Sequence, residues 1–159
     1  MFGTILPIEI DVRCLSDKTF SGGILAMRRV MIIDPDPSTE AFFQGWFEKD
    51  YEIDVATNGK MALEQFCCFN PDVAIVEIGL PDMPGWLVVQ KMRKHIPHLP
   101  VIAIAENESW EDVRQMRIKA GPILFCAVKP LNKQEIEKTL VAAVALQQKQ
   151  KGKHFNGTY

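Results

Sequence analysis

The sequence predicts an α/β fold in which helices cover both faces of one parallel sheet. Three observations support this prediction. Five short apolar runs alternate along the chain with longer amphipathic stretches. All runs but the second are continuously apolar, as strands buried on both faces of a parallel sheet are, and the second, at 52–56, alternates like a half-buried edge strand. Finally, Pro, Gly, Asn and Asp separate the runs from the amphipathic stretches, and 159 residues suit a single domain.

The first half of the chain predicts three strands and two helices. Asp36, followed by Pro37, is a helix N-terminus signal, and Asn58-Gly59 turns the chain into the second helix. Aromatic residues of the first helix recur at helical spacing, which predicts core positions. The predicted elements are a strand at Val30–Ile33, a helix from Pro37 bearing Phe42, Phe43, Trp46 and Phe47, an edge strand at 52–56, a helix from Gly59 to near Phe69, and a central strand at Val73–Val76.

The second half repeats the pattern. Asn132, with Glu135 three residues later, is a capping signature for the last helix, and Gly121 ends the helix before it. The predicted elements are a helix from about Trp86 to His95, a strand at Val101–Ala105, a helix at 108–120, a strand at Ile123–Val128, and a helix from Lys133 to about Leu146.

Composition limits the classes of function. The net charge of −2 gives no general reason to expect nucleic-acid binding, and no apolar run is long enough for a membrane span. The four cysteines lack metal-finger spacing and a secreted disulfide pattern, so we expect a cytoplasmic protein. We expect residues 1–26 to be a disordered or extended leader, with a misassigned start as one explanation, 27–147 to form the domain, and 148–159 to be a disordered polar tail.

The most informative segment begins at Glu77. This acid ends the central apolar run and precedes the loop Ile-Gly-Leu-Pro-Asp-Met-Pro-Gly, which places a carboxylate at the edge of the sheet where ligand chemistry collects. The segment Ile-Val-Glu-Ile-Gly-Leu-Pro-Asp-Met-Pro-Gly resembles the phosphoacceptor segment of response-regulator receiver domains (the CheY-like superfamily), where the acid is aspartate. The acidic turn Asp34-Pro-Asp, the segment Pro100-Val-Ile and Lys129-Pro130 extend the resemblance over roughly residues 28–146.

The resemblance implies a fold and a set of site positions. The fold is the flavodoxin-like doubly wound (βα)5 three-layer sandwich, with a five-stranded parallel sheet in the order 2-1-3-4-5. Family members hold Mg²⁺ with two acids of the first loop, the acceptor aspartate and a nearby backbone carbonyl, while a Ser or Thr and a Lys contact the phosphoryl group. The corresponding positions are Asp34 and Pro35 with neighbouring Asp36 (acidic pocket), Glu77 (phosphoacceptor), Gly79 (carbonyl), Ala105, Phe125 and Cys126 (switch positions), and Lys129.

Three of these positions depart from the family pattern. Pro35 offers no side-chain ligand, Ala105 has no hydroxyl, and the extra methylene of Glu77 moves its carboxylate by about 1 Å, which costs a positioned reaction about a hundredfold. We therefore expect no catalytic residue, no cofactor and an impaired metal site, with at most weak Mg²⁺ binding at Asp34, Glu77 and Gly79. Glu77 is long enough to pair with Lys129 and fix one conformation; that both are remnants without regulatory meaning is an equal alternative.

These expectations combine into one functional hypothesis. The chain is predicted to be a stand-alone, non-enzymatic receiver-like module of a two-component phosphorelay, not competent for aspartate phosphorylation and acting by protein–protein interaction. Its partner would be a histidine kinase, a phosphotransfer protein or an effector at the fourth helix, fifth strand and fifth helix, or a second copy in a homodimer, with no nucleic acid or membrane. Two alternatives stay open: a single-domain response regulator that is still phosphorylated, and a nucleotide- or flavin-binding protein or enzyme on the same fold. The absence of a Gly-rich phosphate loop speaks against the latter.

Overall fold

The computed structural model describes residues 27–107 and 110–155, in which five strands alternate with five helices. The leader predicted at residues 1–26 and the end of the chain from residue 156 lie outside the described residues. The elements are β1 (Arg28–Ile33), α1 (Pro37–Phe47), β2 (Tyr51–Ala56), α2 (Gly59–Phe69), β3 (Val73–Glu77), α3 (Gly85–Arg93), β4 (Val101–Ala105), α4 (Trp110–Ala120), β5 (Phe125–Val128) and α5 (Lys133–Phe155).

The five strands form one parallel sheet in the order β2-β1-β3-β4-β5, as the resemblance implied. The register aligns the ends of neighbouring strands. Ile33 lies opposite both Ala56 and Val76, and Ala105 lies opposite Val128. The residues that follow these strands therefore meet at one edge of the sheet.

Two apolar layers pack on the sheet, so the molecule is a three-layer sandwich. Alternate residues of β1 point to opposite faces, as the two-residue period of a strand requires. Met31 and Ile33 pack with α2, α3 and α4, whereas Val30 and Ile32 pack with α1 and α5. All five residues of β3 are buried, because this strand lies at the centre of the sheet.

Side-chain caps begin three of the helices where the sequence predicted helix starts. Asp36 Oδ1 accepts a hydrogen bond from the Ser38 amide (2.9 Å), and Asn58 Oδ1 accepts one from the Met61 amide (2.8 Å). Asn132 Oδ1 accepts one from the Glu135 amide (3.1 Å). Each cap satisfies an amide that the helix itself leaves without a partner.

The last helix is longer than predicted. It continues to Phe155, so residues 148–155, expected to be a disordered tail, belong to α5 in the structure. Gln147 is buried and continues the apolar stripe of α5, and Lys151 Nζ lies 3.2 Å from Asp72 Oδ1 at the opposite edge of the sheet. These contacts give the polar end of the helix a surface to pack on.

Three smaller differences concern single positions. Trp46, predicted in the core, has 55% of its surface exposed and is covered by Lys133, whose Nζ lies 4.4 Å from the ring centroid. The fifth strand begins at Phe125 rather than Ile123. Cys68 is disulfide-bonded, which the cysteine spacing did not predict, whereas Cys67 and Cys126 have free thiols. None of the described helices combines the length and apolarity needed to cross a bilayer.

Candidate functional site: a lysine among three carboxylates

Four charged side chains meet at the carboxyl edge of the sheet, and we call them the acidic corner: Asp34, Asp36, Glu77 and Lys129. Asp34 follows β1, Glu77 ends β3 and Lys129 follows β5. Because these parallel strands end at the same edge, residues far apart in sequence become neighbours. The structure thus brings together the acids and the lysine that the sequence singled out.

Lys129 is the centre of the corner. Its Nζ lies 2.9 Å from Asp34 Oδ2, 3.3 Å from Asp36 Oδ2 and 3.5 Å from Glu77 Oε2. The Lys129 side chain is 15% exposed, and those of Asp34 and Glu77 are 1% and 7% exposed. The corner is therefore largely shielded from water, and its one ammonium is shared among three carboxylates.

Hydrogen bonds from the first loop fix Asp34 and Asp36. Asp34 Oδ2 accepts from Thr39 Oγ1 (2.7 Å), and Asp34 Oδ1 accepts from the Asp36 amide (2.9 Å). The amide of Ser38, with weaker help from Lys129, lowers the pKa of Asp36. Asp36 is therefore both the cap of α1 and the outer carboxylate of the corner.

Glu77 has the weakest partners of the three acids. Its Oε1 accepts a bond of 3.3 Å from the Gly79 amide, and its Oε2 is buried without a hydrogen bond among the described residues. The 3.5 Å separation from Lys129 is an electrostatic contact rather than a well-formed hydrogen bond. Burial raises the pKa of Glu77, although the Gly79 amide and Lys129 partly oppose this shift. The direct pairing expected from the sequence is thus present, but at a loose distance.

Lys129 is more firmly protonated than an ordinary lysine. Burial alone would lower its pKa, but the hydrogen bond to Asp34 and the attraction of Asp34, Asp36 and Glu77 raise it overall. The Lys129 amide also donates to the Ala105 carbonyl (2.9 Å), and the Lys129-Pro130 peptide bond is cis. Backbone and side chain together hold the ammonium in the corner.

The side chains of the corner do not fit a Mg²⁺ ion well. Mg²⁺ requires close to octahedral coordination by oxygen atoms, yet Pro35 supplies no ligand and the Lys129 ammonium lies between the carboxylates. Within residues 27–107 and 110–155, no three or more acidic, His or Cys side chains are arranged to hold a metal. We therefore derive no chemistry through a bound metal.

Of the predicted switch positions, Ala105 ends its strand at the same edge as the corner, whereas Phe125 and Cys126 begin β5. Ala105 is buried at the end of β4, where its methyl group can donate no hydrogen bond to an incoming ligand. Phe125 and Cys126 are both half-buried in β5, and burial raises the pKa of the Cys126 thiol. Phe125 therefore lies at the end of β5 away from the corner, opposite Ile102, and the end of β4 carries no hydroxyl.

A cleft of about 610 Å³ opens between the loop after β3 and the segment after β4. Among the described residues, the charged lining of the cleft is entirely acidic and consists of Glu77, Asp82, Glu106 and Asp112. Apolar side chains of the loop form much of the remaining wall, including Leu80 and Met83. The cleft repels anions more than an average protein surface does.

Asp82 has a role that the sequence did not reveal. Its carboxylate accepts hydrogen bonds from the amides of Gly59 (2.8 Å) and Lys60 (2.9 Å), which lowers its pKa. A Cβ on Gly59 would lie 2.5 Å from Met83 Cγ, so only glycine allows this approach. The loop after β3 is therefore attached to the first turn of α2, 22 and 23 residues earlier in the chain.

An apolar surface lies on α4 and next to β5. Trp110, at the start of α4, is 66% exposed. Ile118 and Leu124 are exposed as well. Trp110, Arg114 and Ile118 recur every four residues and so share one face of α4.

Comparison with known proteins identifies the family. The model of the family "Response regulator receiver domain" matches residues 30–141. The chain belongs to the response regulator receiver domain family. The strand order and the acidic corner of this receiver domain agree with that assignment.

Two curated relatives are much longer than this chain. The regulatory protein AtoC of Escherichia coli is 30% identical over 79% of this chain and 27% of its own length. The sensor histidine kinase TmoS of Ectopseudomonas mendocina is 26% identical over 68% of this chain and 11% of its own length. The chain therefore spans less than a third of the length of these relatives.

Solved structures show the same fold. A CheY-like response regulator receiver domain protein from Methanospirillum hungatei matches with a TM-score of 0.71 and 23% identity, over 79% of this chain and 99% of the other. The chemotaxis protein CheY4 of Vibrio cholerae, crystallised at low pH, matches with a TM-score of 0.67 and 26% identity, over 74% of this chain and 99% of its own. The predicted (βα)5 fold is confirmed.

Proposed function

We propose that this receiver domain takes part in two-component signalling by binding another protein and does not accept a phosphoryl group at Glu77. The single observation that carries the proposal is the state of Glu77, which is buried and points one oxygen at the Gly79 amide and the other at Lys129. An acceptor oxygen must be free to approach phosphorus in line with the leaving group. The Gly79 amide contacts Oε1, and Oε2 is buried beside the Lys129 ammonium, so both oxygens of Glu77 are restricted in that approach.

Two neighbouring substitutions support the proposal. Phosphoryl transfer depends on positioning and on electrostatic stabilisation of the transferred group. Ala105 offers no hydroxyl to that group, and Pro35 offers no carboxylate to a metal that would neutralise it. The expected loss of phosphoryl transfer is therefore the combined effect of Glu77, Ala105 and Pro35.

We propose that the partner meets the surface formed by α4, β5 and α5. Trp110 and Ile118 are exposed there, and Arg114 lies between them on the same face. Tryptophan and arginine dominate the binding energy of many protein interfaces. The partner would be a histidine kinase, a phosphotransfer protein, an effector or a second copy of this chain, acting in the cytoplasm without catalysis by this domain.

Intact-mass measurement after incubation with acetyl phosphate and Mg²⁺ tests the proposal. The wild-type domain should show no mass gain corresponding to one phosphoryl group. Glu77→Asp shortens the side chain to the residue that the family has, and the double variant with Ala105→Ser also restores a hydroxyl. A phosphoryl adduct that forms on the double variant but not on the wild type supports the proposal.

A second measurement identifies where any phosphate is attached. Glu77→Gln removes the nucleophilic carboxylate but keeps nearly the same shape. If the wild type gained a phosphoryl group and Glu77→Gln did not, Glu77 would be an acceptor and the proposal would be wrong. An adduct that persists in Glu77→Gln would instead point to Asp36 or Asp82.

A further inference from the structure

Arg93, in the last turn of α3, makes an unusual set of contacts with backbone carbonyls. Its Nη1 donates to the Ala120 carbonyl (2.8 Å), and its Nη2 donates to those of Leu99 (2.9 Å) and Pro122 (2.6 Å). Its Nε donates to Leu99 as well, at 3.3 Å. One guanidinium thus holds the entry to β4, the end of α4 and the segment that follows α4.

The charge of Arg93 is not matched by an acid. Among the residues that the structure describes, no carboxylate forms an ion pair with it. Arg93 is half-buried, and burial lowers its pKa although a guanidinium remains charged. Its charge is balanced by carbonyl dipoles instead, above all at the C-terminus of α4, where a cation is favourable.

A second residue of α3 joins the same helix end. Gln90 Nε2 donates to the Lys119 carbonyl at 3.1 Å. The carbonyls of Lys119 and Ala120 belong to the last turn of α4, which the helix leaves without internal partners. Side chains of α3 therefore cap α4, although helices are usually capped by residues of their own chain segment.

The turn after α4 is shaped around this contact. Gly121 has a φ of +94°, a conformation that L side chains rarely adopt. A Cβ at Gly121 would lie 3.2 Å from Arg93 Nη1, tighter than most such contacts. Glycine is thus required for the backbone and also leaves room for the guanidinium.

We propose that Arg93 and Gln90 form a bracket that joins α3 and α4 into one rigid unit and thereby fixes the orientation of the exposed α4 surface. The bracket lies at the opposite end of α4 from Trp110, and it includes no residue of the acidic corner. The end of α4 next to Ile118 is therefore held by contacts that involve no residue of the corner. This inference goes beyond the proposed function and does not depend on whether Glu77 accepts phosphate.

Amide hydrogen exchange measured by mass spectrometry tests the bracket. Arg93→Met keeps the apolar stem of the side chain and removes every donor. In this variant the amides of 116–124 should exchange about tenfold to a hundredfold faster, because each lost bond to a buried carbonyl loosens the helix end locally. The amides of β1 and β3 should change by less than about threefold, since they do not contact Arg93.

Arg114→Met is the matched control, because it removes an arginine from the exposed face of α4 whose ion pair among the described residues is an exposed one with Glu111. This control should leave exchange at 116–124 within about threefold of the wild type. Unchanged exchange there in Arg93→Met, or an equal increase over the whole domain, would overturn the proposal. The latter result would mean that Arg93 only adds to global stability.

Two milder variants decide the question if Arg93→Met does not fold. Arg93→Lys keeps the charge but cannot reach three carbonyls at once, and Gln90→Ala removes only the bond to Lys119. Both should accelerate exchange at 116–124 selectively, with a smaller effect for Gln90→Ala. Wild-type exchange in both would rule out the bracket.

Discussion

Replacement of Lys129 by Met removes the only ammonium of the acidic corner and leaves three carboxylates near one another. The attraction of Lys129 to Asp34 at 2.9 Å is about 6 kcal/mol in a medium with an effective dielectric constant of about 20. Most of this is offset by the cost of burying the ions, and the measured effect of breaking a buried pair is about 3–5 kcal/mol. We expect a value near the lower limit, about 3 kcal/mol, because Thr39 and the Asp36 amide still donate to Asp34.

The effect should depend on pH with a definite sign. The pKa of Lys129 is raised above its ordinary value of 10.5, so its stabilisation is complete at neutral pH and is lost only as the pH rises through the folded-state value. At acid pH the deficit of the variant should shrink, because Glu77, whose pKa is already raised, takes up a proton and no longer needs the ammonium. Glu77→Gln in the Lys129→Met background should restore part of the lost stability at neutral pH.

Urea denaturation followed by circular dichroism between pH 4 and pH 8 measures these free energies of unfolding. Lys138→Met, an exposed lysine on α5, is the control and should change stability by less than about 0.5 kcal/mol. A cost of less than about 1 kcal/mol for Lys129→Met, or a cost independent of pH, would contradict the description of the corner as a buried charge cluster.

Three further predictions follow from single positions. Glu77→Gln should raise the free energy of unfolding by about 1 kcal/mol at pH 7, because it removes a buried carboxylate without a strong partner. Burial raises the pKa of Glu77 above 4.5, so the stability of the wild type falls as the pH rises from the unfolded-state pKa through the folded-state pKa. Urea titrations should therefore show the stabilities of the two proteins converging at lower pH. Asp82→Ala should lower the free energy of unfolding by about 1–2 kcal/mol, as loss of a helix cap does. Faster hydrogen exchange in the first turn of α2, but not in that of α5, would distinguish this local effect from a general loss of stability. Gly85→Ala should lower the melting temperature strongly, because the added Cβ would lie 2.5 Å from the Glu77 carbonyl oxygen. In Gly79→Ala the added Cβ would have no atom within 4 Å, so this variant should be nearly neutral. Equal melting temperatures of the two variants would refute the steric argument.

The strands and most helix starts could be predicted because each depends on local sequence. Continuous apolar runs identified β3 and β4, and the caps Asp36 and Asn132 marked helix starts where the structure has them. The end of α5 was missed because its last turns are polar and pack through Gln147, a residue type that usually marks a solvated surface. Hydrophobic periodicity does not report such a contact.

The acidic corner was predictable for a topological reason. Asp34, Glu77 and Lys129 each follow or end a strand, and parallel strands bring such positions to one edge. The distances were not predictable, and Lys129 lies closest to Asp34 rather than to Glu77. Which carboxylate oxygen lies closest to the Lys129 ammonium depends on side-chain packing, and the sequence pattern carries no information about that packing.

The contacts of Asp82 and Arg93 could not have been predicted from the sequence. Each side chain bonds to backbone groups of a distant segment, and backbone groups are the same in every residue type. The exposure of Trp110 could not be predicted from the sequence either. Its large apolar area favoured a buried position, yet it lies at the start of a helix whose inner face is filled by Val113 and Met116.

The loop after β3 is anchored at both of its ends and in its middle. Gly79 bridges to Pro84, the Gly85 amide donates to the Ile78 carbonyl, and Asp82 is attached to α2. The wall that this loop forms in the neighbouring cleft is consequently stiff. A molecule that binds in the cleft therefore has to fit the shape that the loop already has.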